Sequence, residues 1–173
     1  VEMPVPTTKR GKAADKKSKL AVPIRGLIPG MAVHYAGCCH PLPGDRIVGT
    51  RLDHDANIAP WLLIAEDRGC TVRWVEIDPE DCTWSVDALK QQITDRTKLV
   101  AIGYASNAVG TINPMAEAIK IAHEVGALMV LDCIASGCIW VDMAATGVDV
   151  LISAPQKGWS ASPSAGVVVL SPL

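Results

Sequence analysis

Residues 127–157 read ALMVLDCIASGCIWVDMAATGVDVLISAPQK, and this stretch decides the fold. It holds two continuous apolar runs, ALMVLD and VDVLIS, each closed by a polar residue, Asp132 or Ser153. A strand without polar alternation is covered on both faces, which is the habit of parallel sheets flanked by helices. A third run of this kind, LVAIGY, lies at 99–104. Working outward, β-rich runs alternate with helical patterns bounded by Gly, Pro, Ser or Asp. Strands are predicted over 46–52, 71–77, 98–104, 127–132, 148–153 and 166–170. Helices are predicted over 57–68, stopped by Gly69; over 86–93, capped by Ser85; and from Pro114 to Val125, before Gly126. The rhythm is that of βαβ units, so the expected architecture is an α/β three-layer sandwich around a mostly parallel central sheet. There is no internal repeat.

Composition agrees with that reading and excludes others. The 173 residues, 49% of them hydrophobic, suffice for one domain with a real core. Aromatics are only 4%, with no Phe, so the core must be aliphatic and rich in alanine. Sixteen basic against eighteen acidic residues leave a net charge of −2, which gives no general electrostatic reason to bind nucleic acid or anionic lipid. The charge is uneven: residues 1–20 carry six Lys or Arg against Glu2 and Asp15. This head reads as a disordered basic tail, with contact to RNA or an acidic partner as its alternative use. It lacks the apolar stretch of a signal peptide or membrane anchor. Six cysteines in a chain of this length do not make a secreted disulfide scaffold, so a reducing cytoplasm is the expected setting.

Residues 21–45, VPIRGLIPGMAVHYAGCCHPLPGDR, are full of Gly, Pro, Cys and His and lack helical period. His34, Cys38, Cys39 and His40 are candidate zinc ligands, but a closed site needs four ligands and usually a second pair farther along. Cys70 and Cys82 have no His or Cys partner near them in sequence, so reduced structural thiols are the competing reading.

In an open α/β sheet ligands bind beyond the carboxyl ends of the strands, so polar residues just after strands carry the functional argument. These are His54 in RLDHDAN, Asn107 in YASNAVGT, Asp132 in MVLDC and Lys157 in ISAPQKGW. Each has an ordinary structural reading: His54 or Asp55 starts a helix, Asn107 forms a turn, Asp132 accepts loop hydrogen bonds, and Lys157 is surface charge. Together they match the needs of pyridoxal phosphate, which takes a lysine amine for a Schiff base and a carboxylate against its pyridine nitrogen. A ring such as His54 can stack on the cofactor, and an amide such as Asn107 can donate to its phenolic oxygen. The amine must be neutral to attack, a state that desolvation or nearby positive charge favours.

At these residues the sequence resembles the fold type I pyridoxal-phosphate enzymes of the class V aminotransferase and cysteine desulfurase group, over about residues 45–173. PGDRIVGTRLDHDANIAPWLLIAEDRGCTVRWVEID and YASNAVGTI are similar to the cysteine desulfurase branch. From Ala127 onward the words look more like the alanine–glyoxylate aminotransferase branch. The resemblance implies an incomplete fold type I large domain over 46–173. It makes His54 the stacking ring, Asn107 the amide at the cofactor oxygen, Asp132 the pyridine partner and Lys157 the Schiff-base lysine. Ser153 and Gln156 resemble the polar residues beside the cofactor phosphate. It also implies an amino-acid or keto-acid substrate and a homodimer. Asn107, Asp132 and Lys157 stand 25 residues apart in turn.

The departures shape the expectation. Pro155 stands where a small residue is usual, and Gly166 comes late after the lysine. The family's glycine-rich phosphate turn is missing upstream of PGDRIV. In its place, residues 21–49 resemble the zinc-finger segment of RelA/SpoT-type alarmone synthetase/hydrolases, with Cys38 and Cys39 as metal ligands. The chain ends at Leu173, before the family's small domain. The expectation is a class V aminotransferase-like core, weakly active or inactive alone, and transamination is preferred because no cysteine follows Lys157. Cys133 and Cys138 are expected to be small buried residues. The alternative is a non-catalytic regulatory or zinc-binding module on an α/β scaffold.

Overall fold

The computed structural model describes residues 41–171. The basic tail 1–20, and with it His34, Cys38, Cys39 and His40, lies outside the described residues. All six predicted strands form: β1 Arg46–Thr50, β2 Thr71–Val75, β3 Thr97–Gly103, β4 Leu128–Asp132, β5 Val150–Ser153 and β6 Val167–Leu170. They make one sheet in the order β2-β1-β3-β4-β5-β6, parallel except for β6, which runs antiparallel to β5. The architecture is the expected α/β one, with a mostly parallel sheet.

The helices are α1 Ala59–Arg68, α2 Val86–Gln92, α3 Met115–Glu124 and a single turn, α4 Met143–Thr146. Three answer to sequence signals. Gly69 ends α1 at φ 70, a left-handed conformation that side chains resist. Ser85 caps α2 by accepting from the Ala88 amide at 3.1 Å, and Pro114 precedes α3. The predicted start at Asn57 is corrected to Ala59, because Asp55–Asn57 form a separate 3-10 turn. α4 carries no apolar period and escaped prediction; Asp142 caps it, accepting from the Ala145 amide at 3.0 Å.

Alternate residues of each strand enter opposite cores. Val48, Val75, Val100, Ile102, Met129 and Leu131 meet Leu89 of α2 and Ala118, Ile119 and Ala122 of α3 on one face. Ile47, Leu99, Ala101, Val130, Val150 and Ile152 meet Trp61 and Ile64 of α1 on the other. That is why the central strands read as unbroken apolar text.

The topology places a crevice. β1 has β2 on one side and β3 on the other, so the β1-to-β2 crossover runs one way across the sheet and the crossovers that follow run the other. At such a switch point the loops after the two strands part and open a site at their carboxyl ends. In the register, β1 and β3 pair at Arg46↔Thr97, Ile47↔Leu99 and Val48↔Val100, and the pairing ends there, with Gly49 still beside the Ala101 carbonyl.

Candidate functional site

Four strand ends supply the site. β1 stops at Thr50, two residues short of the prediction, because the Asp53 carboxylate turns back on it. Asp53 Oδ2 accepts from Thr50 N at 3.0 Å and from Thr50 Oγ1 at 2.6 Å. His54 then caps the 3-10 turn, its Nδ1 accepting from the Ala56 amide at 3.0 Å. In the neutral ring this leaves the proton on Nε2. After β3, Ser106 Oγ accepts from the Ala108 and Val109 amides, both at 3.3 Å, and fixes the turn that carries Asn107. β4 ends on Asp132, whose Oδ1 accepts from the Ile134 amide at 2.8 Å. β5 ends on Ser153, and a tight turn follows in which the Lys157 amide donates to Ala154 O at 3.4 Å.

These ends surround a cavity of about 500 Å³, a size suited to a small organic ligand. His54, Asn107, Asp132, Ser153, Gln156 and Lys157, the six residues singled out from sequence, all line it. Each also keeps the ordinary role that sequence allowed it: His54 is a cap, Asn107 sits in a turn, Asp132 accepts a loop amide, and Lys157 is exposed. Among the described residues, no side-chain hydrogen bond or ion pair ties down the Lys157 ammonium. Ser153 is buried, and its hydroxyl donates to Cys133 O at 3.3 Å, joining the ends of β4 and β5.

Two lining residues escaped the sequence reading. Asp53 receives four donors, two on each oxygen: Gly103 N at 2.6 Å and Asn57 Nδ2 at 3.2 Å on Oδ1, and the two from Thr50 on Oδ2. Asn113 is buried and donates through Nδ2 to Gly103 O at 2.6 Å. Both act on Gly103, fifty and ten residues away, so local sequence gives no sign of them.

The two carboxylates differ in support. Burial pushes the Asp53 carboxyl above its ordinary range, against the pull of the hydrogen bonds from Thr50, Gly103 and Asn57. Burial raises Asp132 as well; the Ile134 amide lowers it, the Asp53 charge raises it further, and His54 offsets part of this. A cation placed against Asp132 would hold it ionised.

The donor set fits pyridoxal phosphate. The cavity offers a partly buried carboxylate for a pyridinium, an unengaged amine for an aldehyde, an imidazole, and amide and hydroxyl groups for the oxygens. Zinc fares differently: among the described residues no three of His, Cys, Asp and Glu cluster as a metal site. Cys70 Sγ donates to Leu42 O at 3.2 Å, and Cys70 and Cys82 are free thiols. Cys133 is buried and its thiol pushed up to about 12, while Cys138 is exposed, which corrects the expectation that both are buried. No helix among the described residues is long and apolar enough to cross a membrane.

Known proteins place the chain in context. Residues 31–172 match the family described as Aminotransferase class-V. A cysteine desulfurase of Dickeya dadantii is 41% identical over 90 residues, 52% of this chain and 22% of that protein. The chain thus spans about a fifth of the length of the curated relatives it matches. A solved cysteine desulfurase of Escherichia coli superposes with a TM-score of 0.71 at 28% identity, over 78% of this chain and 34% of that one. An alanine–glyoxylate aminotransferase of Nostoc sp. shares the fold, with a TM-score of 0.65 at 24% identity over 82% of this chain and 37% of that one.

Proposed function

Because the chain belongs to the class V aminotransferase family, we propose that its cavity is a pyridoxal-phosphate site for amino-acid chemistry. Lys157 is the nucleophilic amine in this reading, and Asp132 the carboxylate that holds the pyridine nitrogen. One observation carries it: residues scattered over more than a hundred positions, His54 to Lys157, converge on one cavity at the switch point. The bound cofactor would supply an electron sink for carbanion chemistry at the substrate's α-carbon.

The residues have distinct tasks. His54 covers one face of the ring site, held by its cap to Ala56, and leaves Nε2 free to donate. Asn107 would supply an amide to the cofactor's phenolic oxygen, and Gln156 and Ser153 would be the polar residues toward its phosphate. Lys157, whose ammonium has no side-chain hydrogen bond or ion pair among the described residues, would be the amine that holds the cofactor aldehyde and the base placed for the proton at the substrate's α-carbon.

Transamination is the preferred reaction, because the words from Ala127 onward, which carry Asp132 and Lys157, look more like the alanine–glyoxylate aminotransferase branch. We read the substrate as a small amino acid with a keto-acid acceptor. Lys157, Gln156, His54 and Asn107 are all exposed, so turnover by this chain alone should be slow until something excludes water. The exposed β6 side chains Val168, Val169 and Leu170 and the exposed Trp140 favour a homodimer as the assembly that covers apolar surface. We infer from the sequence that the chain joins a cysteine desulfurase-like and an alanine–glyoxylate aminotransferase-like segment near Ala127, preceded by a zinc-finger-like segment carrying Cys38 and Cys39.

The test is to add pyridoxal phosphate to the folded chain, reduce with borohydride and map the label. The reading expects one label, on Lys157, lost in Lys157→Ala and in denatured protein. Label scattered over the lysines of residues 1–20, or unchanged in Lys157→Ala, would sink it.

A further inference from the structure

The β1–β3 ladder ends at Val48↔Val100, yet His54 after β1 and Asp132 beside β3 line one cavity. Beyond that last pair, a side-chain hydrogen bond joins the two sides. Gly103, the last residue of β3, is in register with Asp132 on β4. Its amide donates to Asp53 Oδ1 at 2.6 Å, and Asp53 immediately precedes His54. Its carbonyl accepts from Asn113 at 2.6 Å, so both polar groups of Gly103 are held by side chains.

The carboxylate is anchored on its other sides too. Thr50 binds Oδ2 twice, and Asn57 binds Oδ1 while accepting from the buried Trp61 Nε1 at 3.0 Å. A continuous chain of hydrogen bonds therefore runs from α1 through Asn57 and Asp53 to the strand end registered with Asp132. Gly103 is packed against the carboxylate: an added Cβ would lie 3.0 Å from Asp53 Oδ1, which would have to give by a few tenths of an ångström.

We propose that Asp53 is a positioning residue: a side-chain staple that takes over where the β1–β3 ladder opens and fixes His54 relative to Asp132 across the crevice. The proposal rests on the reading of the cavity as a cofactor site, and it assigns Asp53 no contact with the cofactor. Four donors and no acceptor face the carboxylate, so an amide in its place would set its NH2 against donors and break the staple while keeping the volume.

The experiment is a double-mutant cycle on the whole chain, with the dissociation constant for pyridoxal phosphate and the circular dichroism of the bound chromophore as readouts. Asp53→Asn should weaken binding about tenfold and change the dichroic signal, as loss of hydrogen bonds to a charged group does. In a His54→Ala background the same change should weaken binding less than about twofold, because its effect passes through His54. Asp45→Asn is the stability control. It lies at the amino-terminal end of β1, away from the cavity, where Asp45 pairs with Arg96 at 3.2 Å, and should lower the melting temperature without moving either readout. If Asp53→Asn does not fold, Thr50→Val removes one of the four donors and should show the same coupling at smaller size. Equal weakening in both backgrounds, or none in either, overturns the staple while leaving Lys157 labelling in the parent chain intact. A parent chain that takes no label at Lys157 defeats the cofactor reading and the staple with it.

Discussion

Gly158→Ala tests how the lysine turn is held. Gly158 follows Lys157 and rests on the loop after β4. A Cβ built there would lie 2.5 Å from Cys138 N, 2.8 Å from Gly137 C and 2.9 Å from Gly137 Cα, whereas ordinary contacts begin at 3.4 Å. All three neighbours are main-chain atoms, so no rotamer change relieves the overlap, and the two loops must part by about 0.9 Å. Its φ is not in the left-handed region, so lack of room is the whole cause. Overpacking of this kind costs roughly 1–3 kcal/mol. For a chain of this size, at about 2–4 °C per kcal/mol, that is about 2–12 °C in melting temperature. The same displacement carries Lys157 away from the cavity, and a misplacement near 1 Å slows a positioned reaction by about a hundredfold. Thermal melting and the rate of borohydride-fixed labelling at Lys157 read the two effects separately. Gly126→Ala is the comparison: it has φ +71 but nothing within 4 Å, just before the amino-terminal end of β4. It should cost about 1 kcal/mol from the left-handed backbone and leave labelling unchanged. Parent-like melting and labelling in Gly158→Ala would refute the packing argument.

Asp132→Asn should stabilise the cofactor-free protein at neutral pH. Burial raises this carboxyl, so its ionised form costs stability once the pH exceeds the unfolded-state value near ~3.9, and the full cost is reached above the folded value. The gain in melting temperature should therefore shrink as the pH falls toward ~4, while pyridoxal-phosphate affinity drops; a gain that grows with acid would contradict the sign. Trp61→Ala should cost about 3–5 kcal/mol, since it empties a fully buried site. Trp61→Phe should cost about 1 kcal/mol, mostly the Nε1 bond to Asn57, and urea melts would resolve the two. Iodoacetamide at pH 8 should modify the exposed Cys138 well before Cys133, whose buried thiol, pushed up to about 12, leaves roughly one part in ten thousand as thiolate at that pH; peptide mapping showing equal rates would count against the burial of Cys133.

The strands were legible because a parallel sheet covered on both faces writes itself as continuous apolar runs. ALMVLD and VDVLIS needed nothing beyond their own residues. The ends were less so: β1 stops early because Asp53 captures Thr50, a side-chain event that apolar patterning does not encode. Strand order was out of reach, since nothing local places β1 between β2 and β3. For the site, the rule of looking just past strand ends found His54, Asn107, Asp132 and Lys157. Asp53 and Asn113 stayed hidden, because both serve Gly103, a residue whose importance appears only once two distant segments meet. One cue was present: an acidic residue directly before a candidate ring residue at a strand end, in RLDHDAN.

The contrast between the two carboxylates separates scaffold from function. Asp53 and Asp132 line the same cavity, and burial opposes the charge of both. Asp53 is offset by four donors, two per oxygen, so its charge is internally satisfied and a ligand has nothing to add. Asp132 accepts one loop amide and meets the unfavourable field of Asp53. A carboxylate left in that condition destabilises the empty fold, and the missing stabilisation is what a cationic ligand would supply on arrival. Natural domains concede stability at the residues that bind and keep full hydrogen-bond satisfaction at the residues that support them. By that criterion Asp53 belongs to the frame and Asp132 to the site, and the staple through Gly103 is the link by which the first holds the second in register with His54.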